Sequence, residues 1–246
     1  MKLRLLVLCA ALFSASVQAD CNDAAAPRVN WAGCDKSGAD LSGANLREAN
    51  LNNINLQGAK LVGARMNDAD LSFSNLQQAD LSQASMKNAF LVGIDGREAR
   101  FVKANMRGAR LSRARLDKAD FSAAILAETH FYDADLIQTM FDEAKLEKAN
   151  FELANLEEAS LQDVTAAEAN FNEADMESAN FVGADLTRAR MDKTNLVDAK
   201  FNRANLTKAS LREAVIDGTE FEGAILSDAS WVDYRRCRKD AVSFCR

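Results

Sequence analysis

A large apolar residue recurs every fifth position through most of this chain. Of the 38 positions in phase with Leu41 between residues 41 and 226, 36 carry Leu, Phe, Met or Ile; Gly96 and Ala166 are the exceptions. Two places earlier, from Ala39 to Ala224, 30 of 38 positions are Ala. The other eight (Ile54, Ser74, Ile94, Thr129, Thr139, Val164, Thr194 and Thr219) are small or apolar. We call these two positions i and i−2.

Neither regular secondary structure has a period of five. On an α-helix, five residues at about 100° each overshoot a full turn by roughly 140°. The large residues would wind round the whole circumference and leave no polar face. In a straight strand, side chains alternate, so an odd repeat would throw successive large residues to opposite faces. Within one repeat, i−2 and i do point the same way, as in a strand. The chain must therefore turn after each short extended piece.

The turn has its own composition. Ten of the eleven glycines stand at i+2, where tolerance of unusual backbone angles counts. At i−1, 19 of 38 residues are Asn or Asp, which bond their own backbone at turns. Repeated turns of one hand close the chain into a coil, and stacked coils satisfy each other's backbone groups. Phe101, Phe121, Phe141, Phe181, Phe201 and Phe221 are separated by multiples of 20, and Phe131, Phe151 and Phe171 form a series offset by ten. A period of 20 means four repeats per coil, with the two ring series on opposite sides.

The stretches ADLSG, ANLRE and ANLNN (39–53) and ANFNE, ADMES, ANFVG and ADLTR (169–188) resemble the A(D/N)LXX pattern of the pentapeptide-repeat family, over about 38 consecutive repeats. The resemblance implies an all-β fold: a right-handed quadrilateral parallel β-helix of about 9–10 coils of four repeats, a solenoid whose stability comes from stacking. It also implies that i and i−2 point inward and that i−1, i+1 and i+2 point to solvent. At Gly96 and Ala166 the small central residue follows a large one, Ile94 or Val164, at i−2. Large and small exchange places, so core volume is roughly kept.

The ends differ from the body. Lys2 and Arg4, the apolar run from Leu5 to Phe13, and Val17-Gln18-Ala19 read as a secretory signal peptide over 1–19, cleaved after Ala19, and too short to span a bilayer. The protein is thus expected in the periplasm or secreted. The rest divides into an N-terminal cap (20–38), the β-helix (39–230) and a C-terminal cap (231–246), with Trp31 and Trp231 in i phase as lids. Four cysteines remain after processing, and an even number in an exported chain reads as two disulfides. About ten coils at roughly 4.8 Å put the ends about 45–50 Å apart, whereas disulfide Cα atoms lie within about 7 Å. The expected pairs are therefore Cys21–Cys34 and Cys237–Cys245.

Removal of Lys2 and Arg4 leaves 28 basic and 36 acidic residues, a net −8. That balance argues against general nucleic-acid or anionic-membrane binding. The charge is banded. Residues 97–118 hold eight basic and two acidic residues, 128–177 fourteen acidic and two basic, and 187–213 seven basic and three acidic. The candidate binding surface is the basic collar of Arg97, Arg100, Lys103, Arg107, Arg110 and Arg113 with the acidic belt of Glu147, Glu152, Glu157, Glu168 and Glu173. The plainer alternative is a solvated surface whose neighbouring bands pair loosely.

Enzyme chemistry finds little support. His130 is the sole histidine, at an outward i−1 position, with no nucleophile motif beside it. Carboxylate pairs are plentiful, but acid–base catalysis needs a pocket that separates their pKa values. No catalytic, cofactor or metal site is expected, and no cofactor. The functional expectation is a non-enzymatic exported scaffold for an unidentified protein or envelope partner, with no transmembrane segment and a monomer favoured over an end-to-end dimer. Two alternatives remain: a DNA-mimic topoisomerase-binding protein, as some cytoplasmic family members are, and a carbohydrate-active β-helix enzyme.

Overall fold

The computed structural model describes residues 19–245; all but the last residue of the expected signal peptide lies outside them. There is no helix among the described residues. The repeat 149–153 shows how its backbone is satisfied. Asn150 N–H donates back one coil to the Thr129 carbonyl (2.9 Å), while Phe151 and Leu153 N–H donate forward to the Asn170 and Asn172 carbonyls (2.7 and 3.1 Å). Glu152 N–H goes to the Asn150 side chain (3.1 Å). Ala154 N–H, opening the next repeat, closes the turn on the Phe151 carbonyl (3.0 Å). Five residues thus account for five donors, as a buried backbone requires.

Each i−1 residue bridges in parallel to the residue 20 further on, without a break from Asn30↔Asn50 to Ser210↔Ser230. This makes a four-sided coil. Side I carries Leu41 and its equivalents at multiples of 20, side II those of Leu46, side III those of Leu51 and side IV those of Leu56. Pairing begins at Asn30, inside the segment expected as a cap. There the repeat persists in disguise: Val29 and Cys34 fill i−2 places, and Trp31 and Lys36 fill i places.

The interior is solid. From Leu46 to Leu211 every i residue is shielded from solvent. The two phenylalanine series lie on sides I and III. Within a series the rings stack (Phe131–Phe151, 4.8 Å between centroids; Phe151–Phe171, 4.9 Å), and across the core they meet edge to face (Phe141–Phe151, 5.7 Å). Hydroxyls at i−2 are satisfied without leaving the core: Thr129 and Thr139 donate to the Met106 and Leu116 carbonyls (2.9 and 3.0 Å). A Cβ on Gly96 would approach Leu116 Cδ2 to 2.9 Å and Ile94 Cδ1 to 3.4 Å. Gly96 is small because both neighbours occupy its space.

Cys21 is joined to Cys34 and Cys237 to Cys245, with Cα separations of 5.5 and 4.8 Å. Trp31 is fully buried under the Lys36 ammonium, 4.4 Å from its ring, and Lys36 also donates to the Cys21 carbonyl (2.7 Å). After Trp231 the chain reverses. Arg236 and Val242 bridge antiparallel to Ser230 and Ile225, so the returning segment covers the ends of sides III and II.

Candidate interaction surface

The coil places the eleven charged candidates by arithmetic. Arg97 and Glu157 stand on side IV, and Arg100 and Lys103 on side I. Arg107, Glu147 and Glu168 stand on side II, and Arg110, Arg113, Glu152 and Glu173 on side III. The basic residues therefore encircle one coil and do not converge on a single face. Sides II, III and IV each bring basic and acidic candidates onto one surface; on side I no candidate glutamate accompanies Arg100 and Lys103.

The collar is partly neutralised by its neighbours. Arg107 pairs with Glu128 (2.9 Å) and Arg113 with Asp133 (3.4 Å), each one coil further on. Arg97 pairs with Asp95 (2.8 Å), which Arg115 also reaches (3.4 Å). Burial opposes ionisation of Asp95. Hydrogen bonds from Arg97 and Gln77, with the Arg97 charge, together outweigh it and hold the carboxyl below the ordinary range. At the far edge of the belt, Glu168 pairs with Arg188 (3.3 Å) and more distantly with Lys148 (4.0 Å). Glu147 and Glu152 accept from Thr165 and Asn170 (3.0 and 2.9 Å). Arg100, Lys103, Glu157 and Glu173 form no ion pair among the described residues, and neither does Arg110, whose guanidinium lies 4.9 Å from the Phe90 ring.

On side II the small Ala127 leaves a depression of 370 Å³ lined by Arg107, Ile125, Glu128, Lys145, Glu147 and Lys148. It is open to solvent and lined by charges of both signs. His130 is exposed on side III. Among the described residues, no group of three or more His, Cys, Asp or Glu side chains is placed to hold a metal ion.

Charge alone misses part of this surface. Phe73, Phe90 and Leu153 are exposed on side III, and Val215 on side IV near the C-terminal end. The signal was available: each is an apolar residue in an outward phase. Phe73 and Leu153 sit at i+2, and Phe90 and Val215 at i−1.

Known proteins place this geometry. A family profile described as pentapeptide repeats (8 copies) matches at six overlapping or adjoining segments, residues 17–53, 34–72, 74–113, 114–152, 154–192 and 194–230. A search of curated proteins returned no match. Among solved structures, HetL, a pentapeptide repeat protein involved in heterocyst differentiation regulation from the cyanobacterium Nostoc sp. strain PCC 7120, is 29% identical. The match covers 76% of this chain and 91% of HetL, with a TM-score of 0.32. QnrB1, a plasmid-mediated fluoroquinolone resistance protein, is 17% identical in a trypsin-treated form, covering 78% of this chain and 90% of its own, with a TM-score of 0.48. A pentapeptide repeat protein of the Arabidopsis thaliana thylakoid lumen is 27% identical over 50% of this chain and 66% of its own, with a TM-score of 0.24. The profile spans nearly the whole described coil, and the chain belongs to the pentapeptide-repeat family.

Proposed function

We propose that this protein is an exported, non-enzymatic scaffold, a right-handed coil of about nine to ten turns that presents charged bands to a protein or envelope partner. The carrying observation is the unmatched part of the collar. Arg100, Lys103 and Arg110 are exposed and form no ion pair among the described residues, although an acidic belt begins about one coil away. Exposed cations that no carboxylate of the chain closes into an ion pair can serve an outside partner of opposite charge. Such bands act through association rate and choice of partner more than through raw affinity.

The test is crosslinking in intact cells with the wild type and with an Arg100→Glu/Lys103→Glu/Arg110→Glu variant. These residues are outward and form no ion pair, so the fold should hold. Crosslinks formed by the wild type and lost in the variant support the reading; identical crosslinks from both sink it. Recovery of the protein solely from the cytoplasm would remove the export half of the proposal.

A further inference from the structure

The coil is finished on two sides and open on the other two. Beyond the last full turn, the returning segment caps side II, with Leu226 N–H donating to the Ala241 carbonyl and Ser243 N–H to the Ala224 carbonyl (2.9 Å each). It also caps side III, with Cys237 N–H donating to the Ala229 carbonyl (2.8 Å). Sides IV and I receive no strand; at the far corner of side I, Gly223 N–H reaches the Ser243 hydroxyl (2.9 Å). The N–H groups of Ile216, Gly218 and Phe221 and the carbonyls of Ala214 and Thr219 have no partner among the described residues. In every earlier coil the equivalent i and i+2 N–H groups donate to the next turn, as Leu196, Asp198 and Phe201 do (2.8, 2.9 and 2.8 Å). Below this edge Ile216 and Phe221 are only partly buried, and beside it Val215 is 48% exposed. An unpaired row of donors and acceptors over apolar side chains is a template for another strand.

The charge beside the edge selects the occupant. Residues 214–233 contain five acids and no base. Asp228 and Asp233 are paired with Arg236 and Arg235 (3.9 and 3.1 Å), whereas Asp217, Glu220 and Glu222 form no ion pair among the described residues. A second copy seated open edge on open edge would bring these three carboxylates against their own equivalents. A strand with cationic residues outward and apolar residues inward would meet opposite charge outside and Ile216 and Phe221 inside.

We propose that the open half of the C-terminal end, over sides IV and I, binds an extended segment of another protein in which apolar residues alternate with Lys or Arg. The segment adds itself to the edge as residues 236–242 do on the two closed sides, a mode in which main-chain bonds give affinity and alternate side chains give selectivity. This site is separate from the charge bands and does not depend on them.

The test uses the full chain and amide hydrogen exchange read residue by residue. The probe is a blocked heptapeptide alternating Lys and Val; the controls are its N-methylated form, which cannot donate, and a Glu/Val analogue. The Lys/Val peptide is expected to slow exchange at Ile216, Gly218 and Phe221 by about tenfold or more, and neither control should do so. An Asp217→Lys/Glu220→Lys variant, changed only at exposed positions, should lose that protection and gain it from the Glu/Val peptide. Unchanged exchange with millimolar peptide overturns the proposal. So does equal protection by both charged peptides. Protection that appears without peptide and grows with protein concentration, together with a doubled mass in solution, overturns it in favour of a second copy.

Discussion

Phe201 and Phe221 hold the same place on side I one coil apart, with their rings stacked at 5.5 Å. Phe201 is shielded from solvent, whereas Phe221 is partly exposed. Leu196 and Ile216 make the same pair on side IV. The residues barely differ; the contrast lies in whether another coil is stacked above them. In this fold a repeat does not bury its own side chain. The next turn buries it, so stability belongs to interfaces between coils.

The largest effect that could break this comparison is a core truncation made at both places. Phe201→Ala removes a ring packed on both sides and is expected to cost about 3–5 kcal/mol in denaturant unfolding. Phe221→Ala, with water already on one side, is expected to cost less than half of that. Equal losses would mean that the cap covers Phe221 as a full coil would.

The caps give the next largest effect. Removing the C-terminal disulfide with Cys237→Ser/Cys245→Ser reopens a short loop, worth roughly 2.5 kcal/mol in the chain-entropy model. The damage should stay local. Exchange should quicken at the Cys237 and Leu226 amides, which bond Ala229 and Ala241, and stay slow at Phe151. Acceleration throughout the rod would instead mean that its turns unfold as one unit.

The body of this architecture was legible in the sequence because the core is written in a single register. Period five gave the turns, the phenylalanines gave four sides, and Gly96 and Ala166 could be read through their i−2 neighbours. Three things were hidden, each for a physical reason. The first coil begins with Trp31, Cys34 and Lys36, which occupy inward places without being the usual residues. The glycine phase understated the turn: every i+2 residue from Arg28 to Asp228 has positive φ, yet only ten are glycine. Asx bonding also has a second source. Where i−1 is Ser160 or Ser210, the acceptor for Gln162 or Arg212 N–H comes from Asp142 or Asp192 one coil earlier (3.0 and 3.1 Å). The charged candidates were legible as bands along the chain but not as pairs, because pairing depends on neighbours 20 residues away.

The turn allows a sharper test, since its backbone cost lies within the repeat and should be indifferent to the presence of a further coil. Leu153 has φ of 61° with an exposed side chain. Leu153→Gly is expected to stabilise the protein by roughly 1 kcal/mol, the cost of left-handed backbone for a residue with a Cβ. Gly183→Ala in the interior and Gly218→Ala in the last coil (φ 73° and 71°) should each lose a similar amount. In both, the new Cβ also meets a movable carboxylate, of Asp163 or Asp198. A much smaller loss at Gly218 would show that even turn strain is relieved at the open end.

The smallest expected effect concerns outward carboxylates, which stacking also touches. Burial, and then the nearby Asp117 charge, push the Asp135 carboxyl above its ordinary range, and its Oδ1 is buried without a partner. An acid that holds its proton more tightly folded than unfolded opposes folding once charged. That opposition is complete above its folded pKa and absent below its unfolded value of about 3.9. Asp135→Asn should therefore stabilise the protein at pH 7 by less than about 1 kcal/mol, with the gain vanishing near pH 3.5. Asp95 has the opposite sign: its lowered carboxyl contributes stability above the unfolded value that is lost as pH falls through the folded one, so Asp95→Asn should destabilise at pH 7. Asp217, exposed with no coil beyond it, is the comparison: Asp217→Asn removes one negative charge where there is no crowding of stacked turns. A gain at Asp217 equal to that at Asp135 would mean that net acidity, and not the crowding of stacked turns, is what the substitution relieves.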